Sequence, residues 1–177
     1  MPVPSPLCRR GCPAPPLFVL ATGSGLAVAA RLGLPVVVGG PLVHGDLTPL
    51  ADYRAAFRPR HPDDGPRVLV SVDVLVADSP TRARDLVLPE AWAMVESRTT
   101  GAFPPLRPEP ALRLTARQQE QVEQHLDQVV HGTATDVAEQ LTALVERTGA
   151  DEVLAFSSTH DHAALRDSDA ALATLHP

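Results

Sequence analysis

Apolar residues along this chain fall into short unbroken runs, separated by segments in which apolar positions recur at helical spacing. Leu17-Phe18-Val19-Leu20-Ala21 and Pro35-Val36-Val37-Val38 are runs of strand length, and Asp151-Glu152-Val153-Leu154-Ala155-Phe156 ends in another. Runs that are apolar on both parities suit strands covered on both faces, as in parallel sheets. The longest signal, Arg67 to Ala77, sets Val68, Val70, Val72, Val74 and Val76 on one parity and Leu69, Ser71, Asp73 and Leu75 on the other. Val129-Val130-His131-Gly132 is a weaker fifth candidate.

Between the strands lie helices with readable ends. Leu26 to Leu32 is an Ala-rich helix with Gly33 placed to close it and Pro35 just beyond. Thr48-Pro49 offers an N-cap followed by proline in the first turn, ahead of Leu50, Tyr53, Ala56 and Phe57. Asp78-Ser79-Pro80 caps a helix running towards Arg98, with Pro89 expected to kink or break it. Thr99 to Pro110 holds four prolines and is expected to be a long loop. A polar helix spans Thr115 to Val129, read as solvated cover or a contact with another subunit. Thr133 or Thr135 caps the next helix, through Leu141, Leu144 and Val145 to Gly149; Ala163 to Leu175 is the last. The order is βα repeated, which predicts an α/β architecture with helices covering a parallel sheet of four or five strands.

Composition narrows the class. With 177 residues and 44% hydrophobic content, the chain has the length and apolar supply of one soluble domain. Fifteen Lys+Arg against 21 Asp+Glu give a net charge of −6, which argues against nucleic acid or an anionic membrane as partner. Lys, Ile and Asn are absent altogether, a bias read as genomic. The stretch 1–16 has six prolines and no signal-type apolar core, so it is expected to be a disordered leader on a cytoplasmic protein, with 17–177 as the folded domain. Cys8 and Cys12 fall in that leader and are read as incidental thiols.

The strongest local chemistry is the turn Thr22-Gly23-Ser24-Gly25 between the first strand and first helix. Glycines admit close backbone approach, two hydroxyls are at hand, and the free N–H groups of a helix start face an anion, naturally a phosphate. The turn is neither a Walker A loop nor a GxGxxG fingerprint, and an ordinary capped βα turn fits it equally well. His160-Asp161-His162 has a metal-capable spacing, but a loop leading into the last helix is the plainer reading, and no metal is expected. His44-Gly45-Asp46 reads as a solvated loop and His125 as exposed. No nucleophile elbow or zinc spacing is present, and no catalytic residue stands out.

"LFVLATGSGLAVAARLGLPVVVGG" resembles the mid-barrel segment of the luciferase-like flavin-dependent monooxygenases, the bacterial luciferase superfamily, in which a strand, a small-residue loop and a helix ending in A-A-x-x-G-L-P run into the next strand. "YRAAFRP", "VLVSVDVLVADSPTRAR" and "VHGTATDVAEQLTALVERTGADEVLAFSSTHDHAALRDSDAALA" continue the resemblance in order, from Leu17 to about Leu175. It implies a (β/α)8 barrel using reduced FMN, or F420, with molecular oxygen and a small organic substrate. It also implies that Thr22, Gly23, Ser24 and Gly25 hold the flavin phosphate, with Ala21 contributing a backbone contact. A complete barrel has eight strands in typically about 250 residues. The chain is therefore expected to be the carboxyl-terminal part of such a barrel, its last four to five βα units, and to bind FMN weakly or not at all by itself. The alternative is a non-catalytic half-barrel that associates with itself or with a complementing half.

Overall fold

A computed structural model describes residues 15–110 and 113–175. All but the last two residues of the proline-rich stretch, and both cysteines, lie outside the described residues. In chain order the elements are β1 (Val19–Leu20), α1 (Gly25–Leu32), β2 (Val36–Val38), α2 (Pro41–His44), α3 (Thr48–Ala56), β3 (Val68–Val76), α4 (Pro80–Thr100), α5 (Ala116–Leu126), β4 (Val130–Gly132), α6 (Ala134–Thr148), β5 (Glu152–Phe156) and α7 (His162–Leu172).

Every strand pairing is parallel, and β3 is the organising strand. One of its edges takes β2 at Val68–Val70; the other takes β5, with Leu69 opposite Glu152 and Asp73 opposite Phe156. Backbone groups alternate sides along a strand. The Val36 N–H donates to the Arg67 carbonyl and the Ala77 N–H to the Gly132 carbonyl, so β4, paired with Val74–Val76, continues the β2 edge. The sheet is therefore four strands wide, in the order β1, β2, β3, β5, with β4 in line beyond β2. It is an open parallel α/β sheet and not a closed barrel. Beyond the end of β5, side chains take over its edge of β3. The Ser157 hydroxyl donates to the Val74 carbonyl, and the Val76 N–H donates to the buried Ser168 hydroxyl of α7 at 2.9 Å.

The valine parity of β3 is the core of the outer layer. Val68, Val70, Val72, Val74 and Val76 pack with Leu26, Ala29 and Ala30 of α1, Leu50 and Tyr53 of α3, and Val137 and Leu144 of α6, while Ala171 and Leu172 of α7 close over them. Leu75, on the opposite parity, belongs to a second cluster with Leu86, Val87 and Val95 of α4 and Val122 and Leu126 of α5. The α4–α5 pair is thus an excursion between β3 and α6 that covers the other face of the sheet.

Several boundaries follow the sequence closely. Thr115 with Gln118 and Thr133 with Asp136 form reciprocal capping boxes, which settles Thr133 over Thr135. Ser79 caps α4, its hydroxyl accepting from the Arg82 N–H. Elsewhere the structure corrects the expectation. Helix α4 runs unbroken through Pro89, because Leu86, Val87, Ala91 and Val95 on either side of it are buried in one apolar cluster, and that packing outweighs the missing hydrogen bond. Thr48 is the first residue of α3 and not its cap; the Asp46 carboxylate accepts its N–H and hydroxyl, at 2.9 and 2.6 Å. The loop before it contains the short helix α2, and α5 is not merely solvated, since Val122 and Leu126 are fully buried.

Gly33 closes α1 in the left-handed region, φ 60°, and a Cβ built there would lie 2.4 Å from the Arg58 carbonyl oxygen. Gly33→Ala therefore combines backbone strain with a contact that only a main-chain shift relieves. The expected cost is about 2–3 kcal/mol, read as a fall in thermal midpoint of roughly 5–10 °C. A midpoint within a degree of the parent would contradict this account.

Candidate active-site face

Because all strands are parallel, their carboxyl ends open onto one face, where βα loops gather in barrel-derived folds. Ala21 anchors the first of these loops: it is buried, and its N–H donates to the Val37 carbonyl at 2.9 Å. Gly23 takes φ 53°, with nothing within 4 Å of a Cβ built there, and the Gly25 N–H returns to the Thr22 carbonyl at 3.1 Å. The turn leaves Thr22, Gly23 and Ser24 exposed. Ser24 occupies the capping position of α1, yet its hydroxyl makes no cap bond. The N–H groups of Leu26 and Ala27 find no acceptor among the described residues, and the first turn of α1 carries no acidic side chain. Ala21, Thr22, Gly23, Ser24 and Gly25 thus form one contiguous cradle with spare donors and no opposing charge, suited to an anion.

Two strands away, the same end of the sheet holds a polar cluster that sequence reasoning did not single out. Asp73 is only 8% exposed, on the face of β3 opposite the valines. Its Oδ1 and the Oε2 of Glu90 on α4 are both buried without a hydrogen-bond donor. Burial first, and then the adjoining Glu90 carboxyl, push Asp73 up to about 8. Two carboxyls so placed are stable when one keeps its proton and donates it to the other. His125 of α5 lies near the same Glu90; burial chiefly holds its pKa below the usual value, and its Nε2 is buried without a partner. The expectation that His125 is exposed is therefore wrong, because α5 turns that side towards α4. The available signal was Asp73, the one charged residue within β3.

The remaining histidines do not converge. Asp161, between His160 and His162, caps α7 by accepting from the Ala163 and Ala164 N–H groups and takes Arg82 of α4 at 2.9 Å, so it is spoken for structurally. Those backbone bonds hold its carboxyl below the usual range. His44 sits half-buried in α2, its pKa lowered by burial and then by Arg147. Among the described residues no three His, Cys, Asp or Glu side chains are grouped to hold a metal ion. No helix among them is long and apolar enough to cross a membrane.

A family model, luciferase-like monooxygenase, matches residues 2–152. The chain belongs to that family. Among solved structures, apo-MsnO8 is similar over 99% of this chain and 54% of its own, at 25% identity and TM-score 0.74. The oxygenating constituent of 3,6-diketocamphane monooxygenase from Pseudomonas putida, solved with FMN, is similar over 89% of this chain and 46% of its own, at 18% identity and TM-score 0.60. Flavoprotein 390 shares 19% identity over 89% of this chain and 66% of its own, with TM-score 0.56. No curated protein matches. This family member spans about half the length of the first two structures, in keeping with a four-strand-wide sheet that does not close.

Proposed function

We propose that this luciferase-like chain carries the phosphate-holding part of a flavin site in an FMN-dependent monooxygenase. The carrying observation is the cradle after β1, with spare Leu26 and Ala27 amides, unengaged Thr22 and Ser24 hydroxyls, and no acidic side chain in the first turn of α1. A dianionic phosphate ester fits it: amides and hydroxyls donate, and the positive end of α1 faces the charge. Ala21, fixed by its bond to Val37, sets the height of the turn at the sheet end.

Reduced FMN, when bound, supplies the reaction with molecular oxygen that oxidises a small organic substrate; F420 is the competing flavin. The protein's part would be to fix the phosphate at Thr22, Gly23, Ser24 and Gly25 and to keep water from the reacting flavin. Burial of Leu75 beneath α4 and α5 supplies apolar cover at that end of β3.

The test is binding. FMN titrated into the full chain, followed by flavin fluorescence, is expected to bind weakly yet more tightly than riboflavin, which lacks the phosphate. Ser24→Glu sets a carboxylate against that phosphate and is expected to weaken FMN binding about tenfold while leaving riboflavin unchanged. Equal affinity for FMN and riboflavin would sink the assignment of the cradle. Parallel titration with F420 identifies which flavin the site prefers.

A further inference from the structure

We propose that the excursion carrying α4 and α5 is a hinged flap over the sheet face, latched to β3 by the buried side-chain cluster of Asp73, Glu90 and His125. The inference stands on how this segment packs and does not depend on the flavin site. Both ends of the excursion stand together, because Val74, Leu75 and Val76 pair with Val130, His131 and Gly132. The links at residues 77–79 and 127–129 therefore act as one hinge.

The segment packs mainly on itself. Leu86, Val87, Ala91 and Val95 of α4 meet Val122 and Leu126 of α5 in one apolar cluster, and Leu75 is the one β3 residue buried in it. Val129, beside the hinge, completes that cluster. The five valines of β3 belong to a separate cluster with α1, α3 and α6. A cover whose apolar contacts are largely its own can leave without opening the layer on the far side of the sheet, the condition for opening as a unit. Ties at the rim are slight: Ala164 of α7 packs against the flap, and Arg82 pairs with Asp161 through side chains 50% and 31% exposed. An ion pair so exposed to water holds weakly.

The latch is polar and buried. Asp73 is 8% exposed, and its Oδ1, the Oε2 of Glu90 and the Nε2 of His125 are all buried without a hydrogen-bond partner. The groups acting on Asp73 are Glu90 of α4 and the backbone N–H groups of Ser158 and Val74, with no cation among them. Glu90 and Arg98, both of α4, act on His125, and His160 in the loop after β5 keeps a buried, unpartnered Nδ1 of its own. While the flap is down, the two carboxyls keep one proton between them, and His125 stays neutral because burial lowers its pKa. Loss of that proton leaves two carboxylates side by side out of water, and lifting the flap hydrates both. Burial and then Glu90 raise Asp73 to about 8, against 3.8 for the same group in water, so the closed form holds a proton that the open form gives up. Opening therefore becomes easier by about tenfold per pH unit from about pH 4 to 8, and no easier beyond.

Thiol labelling of the full chain reads the opening, with Cys8 and Cys12 replaced by serine and one thiol placed in β3. Leu75→Cys sits under the flap, whereas Val70→Cys, equally buried, sits on the opposite face and is reached by global unfolding. At pH 8 Leu75→Cys is expected to react at least about tenfold faster than Val70→Cys. Corrected for the reactivity of a free thiol, it should also react at least about tenfold faster at pH 8 than at pH 6. Asp73→Asn in the same chain should remove most of that pH dependence. Amide exchange of the unsubstituted chain gives a second reading: α4 and α5 should lose protection between pH 6 and 8, and be less protected than α1 and α3 throughout. Equal labelling of the two thiols, equal protection of the two helix pairs, or a pH dependence that survives Asp73→Asn would each overturn the proposal.

Discussion

Replacing Asp73 by asparagine is expected to raise the melting temperature at pH 8 by several degrees, and to leave it nearly unchanged at pH 4. An aspartate in the unfolded chain gives up its proton near its ordinary value of 3.8, whereas in the folded chain burial and Glu90 keep that proton until about pH 8. Below pH 4 both states are protonated and the folded state carries no penalty. As pH rises from about 4 to 8, the unfolded chain is increasingly favoured by releasing a proton that the folded chain retains, so Asp73 progressively lowers stability. This is the reverse of the usual surface carboxylate, and of Asp46, Asp136 and Asp161, whose hydrogen bonds lower their pKa values. Asparagine keeps the shape and removes the titration, so the gain grows steadily between pH 4 and pH 8 and levels off above it. Thermal scans of variant and parent between pH 4 and 9 decide the matter, because the other titrations cancel in the difference. Curves that run parallel across that range would show that Asp73 does not titrate abnormally. Glu90→Gln in the same series separates the neighbour from burial, which ranks as the larger cause.

Tyr53→Ala is expected to cost about 3–5 kcal/mol, the range for truncating a large buried aromatic. Tyr53 is 2% exposed and sits at the amino-terminal end of the strands, where it joins the entries to β2 and β3. Its hydroxyl lies 3.0 Å from the Leu34 carbonyl and 3.3 Å from that of Arg67, donating to one while accepting from the Arg67 N–H. The ring meets Phe57 edge-on, with centroids 5.8 Å apart. Tyr53→Phe keeps the ring and leaves these main-chain groups short of one partner, so it should cost about 1 kcal/mol. Urea unfolding of both variants measures the split. An alanine variant within 1 kcal/mol of the parent would mean that the site collapses without loss, and that Tyr53 does not hold the strand entries together.

Both predictions rest on residues that the sequence displays without explaining. The YRAAFRP segment is visible as a motif, but its physical content appears only in three dimensions. Tyr53 ties strand entries, and Arg54 donates to the carbonyls of Thr148 and Gly149 at the end of α6. What was legible is local. Val68 to Val76 reads as a buried strand from its valines, Thr115 and Thr133 as caps from the residues three positions on, and Gly33 and Gly149 as helix ends from the left-handed backbone they permit. The turn after β1 is legible for the same reason, since five consecutive residues make it. What was hidden is long-range. Pro89 looks like a break until α4 is seen packed on Leu75, and Asp73 meets Glu90 only because α4 folds back across the sheet face. His125 looks exposed on a helix rich in glutamine until α5 finds its neighbour. Strand order escapes periodicity in the same way: β3 takes three partners, and nothing in its own residues says which edge each will occupy.

The excursion that carries α4 and α5 leaves the sheet after Ala77 and comes back at Val130, where its two ends lie side by side: Val74–Val76 pair with Val130–Gly132, and the Ala77 N–H donates to the Gly132 carbonyl at 2.9 Å. The segment is in effect a stalk with both feet on one spot. Beyond the residues that meet Asp73, Leu75 and Asp161, its length and content can change without displacing a strand, since the β3–β4 pairing holds the feet together. Evolution could thus remodel the roof over the strand ends while the cradle and the sheet stay fixed.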